Sequence, residues 1–302
     1  MNDSLQMLLS RLSIGPAFLV LGQASTNWRD DESREHLPIP PLGSSSEQYE
    51  AVADSLGAEV TPHWLTDLAQ FPWNGVFTSR IDPALEKAFA ADWRRVVSIG
   101  SPQVGRYPRS MTELQVRHLF GGMSLPEDER PPSDPVEEVE ARDRAAECLN
   151  VLAERLVTPR GVIVIDGYDA DDWLSPKELF VFLRRLGAEQ AHLFSATPQL
   201  LADAFIRTAV ERGLVSTHVE PFALVLDEVR STGRLEKSIT GHGVGGQRLI
   251  PVGNRFVELD ISTWNQVIGT ARPVDTNLLE PFGTASPSIT YQRLRKIGRA
   301  HV

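Results

Sequence analysis

The chain has 302 residues, of which 41% are hydrophobic and 23% charged, and its formal net charge is -10. That is an ordinary globular composition, and its acidic balance leaves no whole-chain basic footprint for nucleic acid. The single cysteine, Cys148, excludes an intrachain disulfide and a four-cysteine zinc module, and it points to a cytoplasmic protein.

Residues 1–13 are expected to be helical, with Leu5, Leu8, Leu9 and Leu12 on one face. No run reaches the ~18 apolar residues of a membrane helix. The N-terminus also lacks the basic region and cleavage site of a signal peptide. Ala17 to Leu21 is a continuous apolar run of the kind found in buried parallel strands, and it ends at Gly22-Gln23-Ala24-Ser25. Residues 28–46 are charged and then rich in Pro and Ser, so they read as a loop or flap. Helices are expected over Glu47 to Leu56 and Pro62 to Gln70. FPWNGVFTS supplies the second buried strand, followed by a helix from Pro83 to Trp93.

Val96 to Ile99 is a short strand, and a polar connection runs to Ser110. Leu114 to Leu119 is another strand, ending at Phe120-Gly121-Gly122. LPEDERPPSDP is a surface loop, and a long amphipathic helix spans Val136 to Leu156, with Cys148 on its apolar side. Val162 to Ile165 is the clearest strand, with the polar turn GYDADD after it. LSPKELFVFLRRLG is a helix started by Ser175-Pro176 and stopped by Gly187. AHLFSAT is a strand, PQLLADAFIRTAVERG one helix, and HVEPFALVLDEV completes the alternation.

Strands alternating with helices of this length predict a Rossmann-like α/β fold: a doubly wound parallel sheet with helices on both faces. Ligands bind such sheets at the carboxyl ends of the strands. Four polar turns sit there and should converge: Gly22 to Ser25, Thr78 to Asp82, Phe120 to Gly122 and Gly167 to Asp172. The seven histidines include no HxxxH pair, so no metal site is expected.

From about Ser231 the pattern changes to short β-like runs broken by glycines. The cluster Gly241, Gly243, Gly245 and Gly246 precedes QRLIPV, which reads as a strand. A phosphate loop needs a helix there, so a hairpin loop is expected. The last six residues, IGRAHV, look like translated sequencing adapter, with a genuine basic tail as the alternative. The expected organisation is an α/β domain over 1–230, a β-containing linker over 231–296, and a non-native tail over 297–302. The natural chain is then longer, with a further C-terminal module.

The four turns together resemble the sirtuin-like NAD-binding superfamily, in particular its bacterial NAD-hydrolysing and phage-defence branch. LGQAST resembles the first glycine motif (Gly-Ala-Gly-x-Ser), with Gly22 and Ser25 matching and Ala24 in place of the second glycine. FTSRID resembles the threonine-x-asparagine-x-aspartate segment, with Thr78 and Asp82 matching and Arg80 in place of the asparagine. Trp73 and Glu86 extend that likeness. RHLFGG resembles the segment carrying the family's catalytic histidine, with Gly121 matching and Phe120 where the histidine falls. VIDGYDADD resembles a nucleotide-contacting turn, with Gly167, Tyr168 and Asp172 matching and Asp169 in place of a serine.

The resemblance implies NAD or a related nucleotide as ligand, held by Gly22, Ala24, Ser25, Thr78, Asp82, Gly121, Gly167, Tyr168 and Asp169, and no zinc. Its departures imply lost chemistry. Arg80 cannot present an amide's paired donor and acceptor, and Phe120 has no proton to exchange. General-base catalysis contributes ~100- to 10,000-fold. His118 is the candidate to rescue it, since residues i and i+2 of a strand share a face. Arg80 is expected to pair with Asp82 or Asp169 across the rim.

The implied function is a catalytically degenerate sirtuin-like domain, sensing a nucleotide or serving assembly within a larger bacterial defence or signalling protein. The alternatives are an active NAD glycohydrolase depleting NAD in anti-phage defence and an interaction domain that binds no nucleotide. Expected partners are the nucleotide and the C-terminal module in the same chain; a homo-oligomer is left open, and neither membrane nor nucleic acid is expected.

Overall fold

A computed structural model describes residues 3–14, 16–27, 38–57, 61–69, 71, 73–90, 95–100, 113–156, 161–187, 190–231, 247–252 and 255–260. Its centre is a seven-stranded, all-parallel sheet. The strands are β1 (Ala17–Leu21), β2 (Gly75–Thr78), β3 (Arg95–Gly100), β4 (Glu113–His118), β5 (Val162–Asp166), β6 (Ala191–Leu193) and β7 (Val215–Thr217), in the order β3-β4-β2-β1-β5-β6-β7.

The apolar runs are divided by the twofold period of the strand. Phe18 and Val20 of β1, with Ile163 and Ile165 of β5, enter one core. Ala17, Leu19 and Leu21, with Val162 and Val164, enter the other. Helices cover each face. On the first lie α2 (Ser46–Gly57), α5 (Pro135–Arg155), α6 (Pro176–Leu186), α7 (Pro198–Ala202) and α8 (Ala204–Glu211). On the second lie α1 (Asp3–Ile14), α3 (His63–Ala69), α4 (Ala84–Phe89) and α9 (Phe222–Ser231). This is the doubly wound fold expected of the alternation, and Cys148 packs into the first core beside Leu149 and Leu152.

Helix ends follow their capping residues. Asp134 accepts from the Val136 and Glu137 amides ahead of α5. Ser175 and Glu178 form a reciprocal capping box on α6, and Gly187 ends it at φ 88°. The expected single helix from Pro198 is two. Asp203, at φ -60° and ψ 137°, leaves the helical region and caps α8 by accepting from the Phe205 and Ile206 amides. A short polar side chain that can bond two free N–H groups competes with helix continuation. The helix expected over 83–93 spans Ala84–Phe89 among the described residues. Strand β7 was not anticipated as a separate element.

Beyond the sheet, β8 (Gln247–Val252) and β9 (Arg255–Asp260) pair antiparallel, so QRLIPV is a strand as expected. The flap over 28–37, the connection over 101–112, the glycine cluster and the region after 260 lie outside the described residues. Among the described residues, no helix is long and apolar enough to cross a membrane.

Candidate functional site at the sheet switch point

From β1 the chain builds outward through β2 and β4 on one side and through β5, β6 and β7 on the other. The crevice outside the ends of β1 and β5 is therefore the switch point where a doubly wound sheet takes its ligand. Because all the strands are parallel, the four polar turns stand on one rim, and hydrogen bonds join them.

The turns after β1 and β5 touch. A Cβ added to Gly22 would lie 2.4 Å from the Gly167 carbonyl oxygen and 2.8 Å from Asp172 Oδ2. Gly167, at φ +60°, faces Ser25, whose Cβ lies 2.5 Å from where a Gly167 Cβ would be. Two glycines are thus needed for the close approach of two backbones. Ser25 is buried and donates to the Gly22 carbonyl at 2.6 Å; Ala24 is half-buried beside it. Asp172 accepts from the Gln23 amide (2.7 Å), from Ser79 Oγ (3.0 Å) and from the Leu174 amide (3.0 Å), which ties three segments together. Tyr168 is buried and donates to the Leu174 carbonyl, and burial raises its hydroxyl pKa far above the usual value. Asp169 is half-buried and accepts from the Ala170 amide.

The turn after β2 holds a network of charges. Thr78 donates to the Leu21 carbonyl and accepts from the Arg80 amide. Arg80 grips Asp82 with two prongs, Nε–Oδ2 at 2.9 Å and Nη2–Oδ1 at 3.0 Å, and donates a third bond to Ser25 Oγ at 3.2 Å. Its guanidinium carbon lies 5.9 Å from the Trp64 ring centroid. Of the two pairings expected for Arg80, the one with Asp82 forms. Arg80 is 4% exposed and Asp82 0%. Burial pushes the Asp82 carboxyl up, but the Arg80 charge and hydrogen bonds outweigh it and hold the group below its usual value.

His118, fully buried at the end of β4, has the Arg80 carbonyl oxygen 2.8 Å from Nδ1 and Glu86 Oε1 2.9 Å from Nε2. A carbonyl only accepts, so Nδ1 carries a proton. Burial alone would lower the His118 pKa, but the hydrogen bond and charge of Glu86 raise it. The same pair holds Glu86 down against its own burial. Both shifts favour the imidazolium–carboxylate form of the pair. Glu86 Oε1 also accepts from Ser98 Oγ at 2.6 Å, and Oε2 has no partner among the described residues.

His118 and Phe120 do not share a cleft. The strand ends at His118, and in the turn that follows both Leu119 and Phe120 enter the first core, where the Phe120 ring meets Trp173 edge-on at 6.0 Å. Gly121, at φ +95°, completes that turn against the backbone of Arg130.

No protein-family model matches the chain, and no curated protein matches it. The chemistry of the rim has to speak for itself. The doubly wound fold is compatible with a nucleotide. Among the described residues no group of three or more His, Cys, Asp or Glu side chains could hold a metal ion.

Several rim residues escaped the sequence reading. Asp166 ends the apolar run VIVID fully buried, and accepts from Ser195 Oγ (2.7 Å), the Phe222 amide (2.8 Å) and the Gly167 amide (3.0 Å). Burial pushes its carboxyl up to about 7. Ser195 itself adopts φ 54°, uncommon for a residue with a side chain. An acid closing an all-apolar strand was the available signal. Gln23, Ser79 and Ser195 are ordinary polar turn residues with no such mark.

Proposed function

We propose that the chain is a cytoplasmic, sirtuin-like domain of a larger bacterial defence or signalling protein. It responds to NAD or a related nucleotide at the switch-point crevice, or serves assembly there, without the hydrolytic chemistry of its active relatives. The observation that carries this reading is the state of His118. Both of its ring nitrogens are engaged and none of its surface is exposed, so it offers no basic nitrogen to a water. Phe120, at the position of the family's histidine, is packed into the core. Arg80, at the position of the family's asparagine, is neutralised by Asp82. Neither His118 nor Phe120 can then supply a base worth ~100- to 10,000-fold in rate.

The test is NAD consumption by the purified protein beside His118→Ala. Neither is expected to consume NAD above the buffer blank. Turnover by the wild type that His118→Ala abolishes overturns the reading in favour of an NAD glycohydrolase with a rearranged site. A thermal shift with NAD or ADP-ribose supports nucleotide response, and its absence at millimolar ligand favours an interaction domain that binds no nucleotide.

A further inference from the structure

We propose that Asp172 is the built-in occupant of the switch-point crevice, and that a phosphate-bearing ligand binds only by displacing its carboxylate. The proposal rests on the nucleotide reading above for its ligand class and on the rim geometry for everything else. In a doubly wound sheet the donors at the end of β1 face the crevice and meet the anionic part of a ligand. Here the Gln23 amide and Ser79 Oγ both point at one oxygen, Asp172 Oδ2, at 2.7 and 3.0 Å. The other carboxylate oxygen is anchored to the Leu174 amide of its own loop.

The carboxylate thus presents to these donors what a phosphate oxygen would present. The backbone closes behind it: Gly22 and Gly167 are in contact, and Tyr168 is locked to Leu174. Gln23 Nε2 adds a bond to the Ser79 carbonyl at 3.2 Å, which holds the turns after β1 and β2 together. Gln23, Ser79 and Asp172 are all buried. A ligand anion entering this position would face a carboxylate of its own charge at contact distance, so the two exclude each other.

The clasp also has the means to open. Asp172 sits on the loop between β5 and α6, held across the crevice by side-chain and amide bonds rather than by sheet pairing, so its departure need not break a strand. Arg80 is already committed to Asp82 and reaches the β1 turn through Ser25. It is therefore placed at the same rim, and a displaced Asp172 would leave the anion seat beside it.

Apparent affinity is reduced by the fraction of molecules with the seat open, so emptying the seat should raise it. The experiment measures binding of NAD, inorganic phosphate and adenosine to wild type and Asp172→Ala by calorimetry. NAD and phosphate are expected to bind the variant about tenfold tighter or more, while adenosine, which carries no phosphate, is unchanged. No gain for either anion overturns the proposal. A gain for phosphate without one for NAD upholds the clasp and overturns the nucleotide reading. Tight NAD binding to wild type, with no gain for either anion in the variant, upholds the nucleotide reading and overturns the clasp. If circular dichroism shows Asp172→Ala unfolded, Asp172→Asn, which keeps the shape and removes the charge, is judged by the same criteria.

Discussion

At the scale of single residues, the rim is governed by what a buried charge requires. Arg80 and Asp82 are both removed from water, and each is tolerable because the other is there. Removing one partner of such a pair strands the other and costs about 3–5 kcal/mol, whereas replacing both with apolar residues of similar volume is often close to neutral. Arg80→Ala is therefore expected to lower the unfolding free energy in urea by about that amount. The double substitution Arg80→Met with Asp82→Leu should recover most of the loss. If the single variant is as stable as the wild type, the pair does not hold the turn. The same logic explains why the His118 pKa is raised despite burial: Glu86 accepts its hydrogen bond and supplies the compensating charge. A side chain that could have been a base is instead a cross-brace between the ends of β2 and β4.

At the scale of elements, the sequence marks what packing repeats and misses what a single polar side chain decides. The runs Ala17–Leu21 and Val162–Asp166 read as buried parallel strands because both of their faces are covered, and the structure divides each between two cores. The capped start and glycine stop of α6 were legible because those signals are local. The break at Asp203 was not, because the apolar period runs on through it and only the side chain's bonds to two amides end α7 and begin α8. Asp203→Ala should then cost about 0.5–2 kcal/mol in thermal or urea unfolding, the range for losing an N-cap. A variant as stable as the wild type would mean that the break is imposed by packing.

Of the candidate site, the convergence of four turns was legible, because parallel strands put their carboxyl ends on one edge. The facing of Phe120 was not, since a twofold period holds only while the strand lasts, and β4 stops at His118. The roles of Asp166 and Ser195 were also hidden, because their contact crosses from the end of β5 to the end of β6.

At the scale of the whole molecule, the buried titratable groups pull stability in opposite directions with pH, and the sign of each follows from the direction in which its pKa moves on folding. Asp82 and Glu86 are depressed, so the stability they contribute is present above their ordinary carboxylate range and is lost as pH falls through their folded values. His192, lowered to about 3 by burial, also disfavours acid, because the unfolded chain takes up a proton below its ordinary value and the folded one does not. Asp166 and Asp172 act the other way. Burial raises them to about 7 and about 6, so from pH 3.8 up to those values the folded state binds more protons than the unfolded one, and stability falls as pH rises. His118, raised, adds to that decline as pH climbs from its ordinary value of 6.5 through its folded one. Between pH 6.5 and 8, Asp166 and His118 thus both lower stability as pH rises. Asp166→Asn isolates the larger of the two raised carboxyl contributions. Relative to this variant, which cannot ionise there, the wild type should lose on the order of 2–3 kcal/mol between pH 5 and pH 8, since each tenfold difference in proton affinity between the folded and unfolded chain is worth ~1.4 kcal/mol. Urea titrations of both proteins at the two pH values read that difference directly, and a constant offset between them would mean that Asp166 is ionised in the folded state throughout.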